Sequence, residues 1–239
     1  MADQGSSTYI DQLRFLLLAG NVREALQLLN LQSRLRFTAL YRLGPTHAQN
    51  FIMVDRDDAR APLMDDIPHD ATYCQLVEAM KAELVIPDAL SEPGLADHPS
   101  RELVQAYCGV PLLDESGNVF GTLCQFDLLP SEIDATTLEL MHEVAGALGP
   151  RALVDAHLRH LQQQADRLSD MQSLIASASD DVESARAAFA EYATPMLHDA
   201  TKKLALEEEL AFEARISAIW QQIETEVRSR APLPSAAHG

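Results

Sequence analysis

The chain has 239 residues, 47% of them hydrophobic, and its 36 acidic and 18 basic residues give a formal net charge of −18 at pH 7. This composition is typical of one or two soluble globular domains with enough apolar material to bury a core. Negative charge on this scale repels phosphate backbones and anionic membrane surfaces, so we expect neither a nucleic-acid nor a membrane partner.

Cysteine usage and the N-terminal segment both favour a cytoplasmic protein. Cys74, Cys108 and Cys124 are widely spaced and form no Cys-x-x-Cys motif, which is typical of a reducing compartment. The longest apolar run near the N-terminus, residues 15–19, is far too short to span a bilayer.

The first third of the chain predicts a helical segment followed by a β-hairpin. Apolar residues at steps of three and four between Ile10 and Leu31, interrupted at Gly20, predict one broken helix or two short ones. Residues 34–43 alternate apolar and polar, and residues 49–55 continue after a turn, which predicts two paired strands. The polar segment 56–68 is predicted to be a loop.

The middle third predicts a helix, a short strand, a second hairpin and another helix. Pro111 lies inside one hairpin strand and indicates an edge or a bulge there, and Gly117 suits the positive φ of the hairpin turn. We expect these elements, in order: a helix over 71–82 capped by Asp70, a strand over 84–86, a loop over 91–100, strands over 104–113 and 119–126, and a helix over 131–146 that begins at Ser131.

Residues 150–230 predict long helices. Apolar residues recur at coiled-coil-like spacing up to Ile175, and Asp180 with Glu183 has the pattern of a capping box that opens a second long helix through about Arg228. Pro195 indicates a kink in that helix or the start of a new one. We expect these helices to pack as a hairpin, to dimerise or bind a protein partner, or both, and residues 231–239 to be a disordered tail.

Several segments in the first 149 residues resemble the GAF sensory domain, as found in bacterial sensor kinases and diguanylate cyclases. These segments are His69–Val77, Leu84–Ala89, Tyr107–Leu112 and Gly121–Asp127, in the order and spacing of that family. The resemblance implies an α+β fold with a central antiparallel sheet and flanking helices over residues 1–149. It implies nothing about residues 150–230.

The resemblance also implies a ligand pocket between the sheet and the segments that cover one face of it. The residues expected there are Tyr73, Cys74, Asp88, Tyr107 and Cys124. The simpler interpretations stay open: the tyrosines pack, the cysteines act as small hydrophobes, and Asp88 bonds its own turn. Gly109 and Gly121 are expected either to let the strands approach a ligand or to be purely structural.

Two further residues in the variable loop are candidates for ligand binding. Arg101 is one of only two basic residues between positions 61 and 150, against sixteen acidic ones, so an anionic ligand would recruit it. Its alternative is an ion pair with Asp97 or Glu102. His98 is a candidate ligand-binding residue or an ordinary loop histidine.

Catalytic and metal motifs are missing from the sequence. No Gly-x-Ser-x-Gly, phosphate loop, His-Glu-x-x-His or kinase signature is present. His157 and His160 share a helix face, but two ligands without a third favour a solvated face, so we expect no metal. The cofactor and the ligand are not identified by any motif.

The sequence therefore favours a non-catalytic cytoplasmic module that binds a small molecule or senses redox state and signals through its C-terminal helices. The enzyme alternative is a thiol-dependent reductase of the free methionine sulfoxide reductase type, which has the same fold. The third interpretation is a dimerisation scaffold without a pocket.

Overall fold

The structure, a computed structural model, describes residues 3–58 and 63–230 and divides the chain into two compact units. We call residues 1–156 the sheet unit and residues 157–239 the helical unit. The expected disordered tail, residues 231–239, lies outside the described residues. In the described part of the chain, no helix combines the length and apolar content needed to cross a bilayer.

The elements follow the α+β order that the sequence predicts. The strands are β1 (Phe37–Leu43), β2 (His47–Asp55), β3 (Ile67–Pro68), β4 (Leu84–Ile86), β5 (Ala106–Leu113) and β6 (Val119–Asp127). The helices are α1 (Asp3–Leu18), α2 (Val22–Leu31), α3 (Cys74–Met80), α4 (Ala135–Gly146), α5 (Pro150–Asp170), α6 (Gln172–Ala178), α7 (Val182–Lys203) and α8 (Leu206–Arg230).

The six strands form one antiparallel sheet in the order β3-β2-β1-β6-β5-β4. Both predicted hairpins, β1–β2 and β5–β6, are confirmed. The ladder between β4 and β5 ends at Gly109, so Pro111 lies where β5 has no β4 partner and is an edge on that side, as predicted. The prediction of a loop over residues 56–68 is wrong at the end of that range, because Ile67 and Pro68 form β3 and pair with β2.

Alternation along the strands sends side chains to two separate cores of the sheet unit. Leu40, Cys108 and Leu123 join one core with α1, α2, α4 and the first turns of α5. Ala39, Tyr107 and Cys124 join the other, which α3 covers. The second core contains the candidate site.

Two predicted helix starts in the sheet unit are wrong. Thr72 is extended, so His69–Ala71 form only a 3-10 turn and α3 begins at Cys74 rather than at residue 71. Asp134, not Ser131, caps α4, because its carboxylate accepts the N–H of Thr137 at 2.7 Å. The break at Gly20, which has φ +73°, is confirmed and separates α1 from α2.

In residues 157–230, the described part of the helical unit, α6, α7, α8 and the last turns of α5 share one apolar core. The predicted capping box is one residue off, since Asp181 and Ser184 form it instead of Asp180 and Glu183. Pro195 lies inside α7, and the second long helix is broken at residues 204–205, between α7 and α8. The apolar seam therefore packs within the chain, and a coiled coil with a second chain stays a prediction.

Candidate functional site

The candidate site lies on the α3 face of the sheet, where two cysteines meet. Cys74 is the first residue of α3, and Cys124 lies on β6 opposite Gly109 of β5. Both side chains are buried in the same core, and each thiol shifts the pKa of the other. The register of β5 and β6 and the packing of α3 on both strands bring them together.

Tyr107 fills the space beside this thiol pair. Its hydroxyl donates to Cys74 Sγ at 3.6 Å, and the residue is only 3% exposed. The ring can lie along the strand because Gly109, two residues on and on the same face, has no side chain. A Cβ on Gly109 would approach the Cε1 and Cζ atoms of Tyr107 to 2.8 Å. Gly109 therefore makes room for a side chain of the protein itself.

The surroundings separate the two thiols in acidity. The hydrogen bond with Cys124, together with the donated Tyr107 hydroxyl, lowers the pKa of Cys74 to about 7 even though burial opposes ionisation. The same hydrogen bond and burial raise the pKa of Cys124 well above its ordinary value.

Cys108 behaves differently because it lies on the opposite face of the sheet. Its thiol donates to Met141 Sδ at 3.5 Å in the core under α4. Burial raises the pKa of Cys108 to about 12. It is a structural side chain and no part of the candidate site.

An aromatic stack connects the thiols to the loop. Tyr73 packs edge-on against Tyr107 with ring centroids 5.3 Å apart, and His98 stacks on its other side at 4.4 Å. The Tyr73 hydroxyl donates to the Val104 carbonyl at 3.3 Å. Burial raises the pKa of Tyr73 and lowers the pKa of His98. We call Tyr73, Cys74, His98, Tyr107 and Cys124 the thiol–aromatic cluster.

The loop over residues 87–105 is tied down by a small set of polar contacts. The Ser100 hydroxyl donates to the Ala71 carbonyl at 2.5 Å, just before α3. Arg101 donates to the carbonyls of Ala89 at 3.1 Å and Leu90 at 2.6 Å. These carbonyl contacts take the place of the predicted ion pair with Asp97 or Glu102.

Asp88 forms hydrogen bonds within its own turn, which is the simpler of the two roles expected from the sequence. Its carboxylate accepts the N–H of Leu90 at 3.0 Å and the hydroxyl of Ser91 at 2.6 Å. The Ser91 hydrogen bond, with smaller contributions from backbone N–H groups and Arg101, holds the pKa of Asp88 below its ordinary value. Asp88 and Arg101 thus shape the loop and lie outside the thiol–aromatic cluster.

Two residues that sequence reasoning missed complete the wall of the site. Tyr41 lies on β1 opposite Thr122 of β6, and its hydroxyl donates to Met64 Sδ at 3.4 Å. Alternation along β1 places Tyr41 on the same face of the sheet as Ala39, so the sequence pattern could have assigned Tyr41 to the site. Met64 belongs to a segment without a periodic pattern, and no sequence signal identifies it.

The helical unit contains a second buried polar group. His157, which is fully buried, lies with Nε2 3.0 Å from Asp199 Oδ2, and Lys203 Nζ lies 2.5 Å from Asp199 Oδ1. The prediction that His157 lies on a solvated helix face is therefore wrong, because His157 lies on the side of α5 that packs against α7. Burial alone would raise the pKa of Asp199. The hydrogen bonds and charges of His157 and Lys203 outweigh burial and hold the pKa of Asp199 below its ordinary value. In the described ranges, no three His, Cys, Asp or Glu residues are grouped to bind a metal.

Comparison with known proteins gives a match at the level of the fold. No protein-family model and no curated protein sequence matches the chain. A crystal structure described as a GAF sensor protein from Burkholderia vietnamiensis matches with a TM-score of 0.50 and 17% identity, covering 65% of this chain and 98% of that one. The six-stranded sheet with its flanking helices therefore has a GAF-like fold, as the sequence resemblance implies.

Two other solved structures are similar at slightly lower scores. One is free methionine-R-sulfoxide reductase from Neisseria meningitidis in complex with its substrate (TM-score 0.49, 16% identity, 64% of this chain and 92% of that one). The other is the GAF domain of an Acinetobacter phosphoenolpyruvate-protein phosphotransferase (TM-score 0.48, 15% identity, 62% and 93%).

Proposed function

We propose that the chain is a signalling module whose sheet unit receives an input at the thiol–aromatic cluster. The helical unit passes the resulting change to a second copy or to a protein partner by contact. The observation that carries this proposal is the connection from the buried thiol pair, through Tyr107 and Tyr73, to His98 in the 87–105 loop.

The packing of this cluster makes the 87–105 loop sensitive to its state. Cys74, Tyr73 and Tyr107 are each at most 3% exposed, so a bound molecule or a chemical change at the thiols needs the surrounding side chains to move. His98 stacks directly on Tyr73, and Ser100 holds the loop to Ala71, three residues before α3. An input that prefers one arrangement of the loop shifts the population toward it.

The helical unit has features suited to output. Helix α5 contributes Leu153 to the core of the sheet unit and Leu161 to the core of the helical unit, so one helix belongs to both. Leu174, Leu206 and Leu210 of the helical unit are 54–69% exposed, and exposed apolar side chains favour binding to another protein surface.

The enzyme alternative, a thiol-dependent reductase, receives less support from the same site. A catalytic thiolate has to reach its substrate, and Cys74, Cys108 and Cys124 are all buried. Sustained consumption of free methionine sulfoxide by the purified protein with a dithiol reductant would replace the sensor proposal with this alternative.

The proposal is tested by releasing the loop and measuring the helical unit of the full chain. Arg101→Ala removes the bonds to Ala89 and Leu90. We expect faster amide exchange in residues 157–230 and a changed emission of Trp220, the single tryptophan of the chain, which packs on Phe189 in the helical unit.

Arg34→Ala is the matched control, because Arg34 also lies in the sheet unit but pairs with Glu132 on the surface. It should leave exchange in residues 157–230 and Trp220 emission unchanged. If Arg101→Ala frees the loop and the helical unit still exchanges like the wild type, the signalling proposal fails and the scaffold interpretation replaces it.

A further inference from the structure

We propose that the input to the thiol–aromatic cluster is a hydroperoxide, which oxidises Cys74 and Cys124 to a reversible intramolecular disulfide. This inference rests on the proposed function, because it names the chemistry of the site through which the module would be signalled. It is carried by two buried thiols from different elements, α3 and β6, that lie in one core on either side of the Tyr107 hydroxyl. That hydroxyl is 3.6 Å from Cys74 Sγ and fills the space above Gly109, the residue opposite Cys124.

Cys74 is the thiol that reacts first. It is the thiol that the Tyr107 hydroxyl contacts, at 3.6 Å, and a hydroxyl donated to sulfur stabilises the thiolate. The thiolate is the nucleophile in thiol oxidation. Its attack on the peroxide forms a sulfur–oxygen bond, breaks the oxygen–oxygen bond and, with one proton, releases an alcohol, or water when hydrogen peroxide is the oxidant.

Cys124 is the thiol that resolves the resulting sulfenic acid. Its raised pKa keeps it protonated beside Cys74, so it retains a thiol for the second step. The Cys124 sulfur bonds to the Cys74 sulfur, and the sulfenic hydroxyl leaves with the Cys124 proton as water. Two thiols thus supply the two electrons that reduce one hydroperoxide, and a cellular dithiol reverses the step by thiol–disulfide exchange.

The buried position of the pair selects a small oxidant. Cys74 and Cys124 are 3% and 1% exposed, so a bulky disulfide cannot approach them without large rearrangement, whereas hydrogen peroxide is close to water in size. The 87–105 loop contributes His98 to the aromatic stack beside the thiols, and Ser100 and Arg101 tie this loop down.

The disulfide would alter the loop through contacts already present. A covalent bond draws Cys74 and Cys124 closer than hydrogen-bonded thiols and removes the thiol group that Tyr107 bonds. The Tyr107 ring packs against Tyr73, and Tyr73 packs against His98, so the shift reaches the loop along the stack.

The test begins with the full-length wild-type protein, reduced and then exposed to stoichiometric hydrogen peroxide. We expect the intact mass to fall by two hydrogens per chain and peptide mapping to show Cys74 linked to Cys124. A reductant should restore the original mass. Cys108→Ser should oxidise at the wild-type rate, whereas Cys124→Ser should lose the disulfide and accumulate a Cys74 sulfenic acid that a dimedone probe captures.

The possible results distinguish a failure of the disulfide inference from a failure of the proposed signalling function. No loss of two hydrogens, a disulfide that includes Cys108, or only intermolecular linkage would overturn the disulfide inference, while the response of the helical unit to Arg101→Ala still tests signalling independently. A Cys74–Cys124 disulfide supports the inference. If that disulfide leaves amide exchange and Trp220 emission of the helical unit unchanged, and Arg101→Ala does too, the signalling function fails and the thiol chemistry stands.

Discussion

The ring of Tyr107 occupies the space that a side chain at Gly109 would need. The two residues are on the same strand face, and the Cζ atom of Tyr107 would lie 2.8 Å from a Cβ at Gly109. Through this vacancy the Tyr107 hydroxyl reaches the Cys74 sulfur. Absence of a side chain at one position therefore determines the hydrogen bonding of a thiol on another element.

Gly109→Ala should destabilise the sheet unit and move Tyr107 off Cys74. Overpacking of this kind costs about 1–3 kcal/mol of unfolding free energy, measurable by urea unfolding with far-UV circular dichroism. Adding Tyr107→Leu removes the clashing ring and should recover part of that loss, which a double-mutant cycle reports as coupling. Simple additivity of the two changes would contradict the contact.

Gly121→Ala is the comparison, because a Cβ there would meet the backbone carbonyl of Tyr41 across the β1–β6 pair. No side-chain truncation relieves a clash with backbone, so Tyr41→Leu should not rescue Gly121→Ala. Rescue at Gly109 and none at Gly121 would distinguish a glycine that accommodates a ring from one that lets two strands approach.

The reactivity of Cys74 should depend on pH in a way that Cys108 does not share. With a pKa of about 7 for Cys74, half of its thiol is ionised near pH 7, so its thiolate population rises steeply through neutral pH and levels off only well above it, whereas Cys108, at about 12, stays protonated. Labelling with a small alkylating agent, read by peptide mass spectrometry, should follow that profile at Cys74.

Tyr107→Phe provides the specific check on this profile. Because the hydroxyl donates to the Cys74 sulfur and stabilises its ionised form, its removal should raise the pKa of Cys74 and move the labelling profile to higher pH. An unshifted profile would show that the Tyr107 hydrogen bond does not influence the thiol.

Local signals made much of the sheet unit predictable. The alternation in residues 34–43 and the turn after it predict the β1–β2 hairpin, and Gly20 and Gly117 supply positive φ angles where the chain must turn. Cys74 and Tyr107 could be assigned to one site because the sequence resemblance places their elements on the same sheet face, which alternation alone does not.

The rest depends on packing that no local pattern encodes. Thr72 has an extended backbone, and α3 therefore begins only at Cys74. His157 lies three residues from His160 on a helix with a polar appearance, yet packing against α7 buries it beside Asp199. The sequence predicts that the long helices can pack together, but not that the face of α5 with His157 is the one that α7 covers.

The start of α4 can be tested by a pair of substitutions. Asp134→Ala removes the carboxylate that accepts the Thr137 N–H, and loss of an N-cap costs about 1 kcal/mol of unfolding free energy. Ser131→Ala should cost far less, since the Ser131 hydroxyl makes only a long contact with the Glu132 carbonyl at 3.5 Å. Equal losses in urea unfolding would contradict the cap at Asp134.

The buried group in the helical unit predicts a strong effect at Asp199. Asp199→Asn leaves Lys203 and His157 buried without their carboxylate, and breaking a buried ion pair costs about 3–5 kcal/mol of unfolding free energy. Asp166→Asn is the control, because Asp166 pairs with Arg215 at the surface, where an ion pair contributes about 0–1 kcal/mol. Trp220 fluorescence during urea unfolding reports this unit directly.

The same substitution should lose its effect in acid. The folded-state pKa of Asp199 lies below its unfolded value, near 3.9, so the stability from its ionised form is present above that pH and is lost as pH falls through the lower folded value. Wild type and Asp199→Asn should therefore differ most at neutral pH and converge toward pH 2. A difference that stays constant from pH 7 into acid would show that the substitution acts through packing rather than through the carboxylate charge.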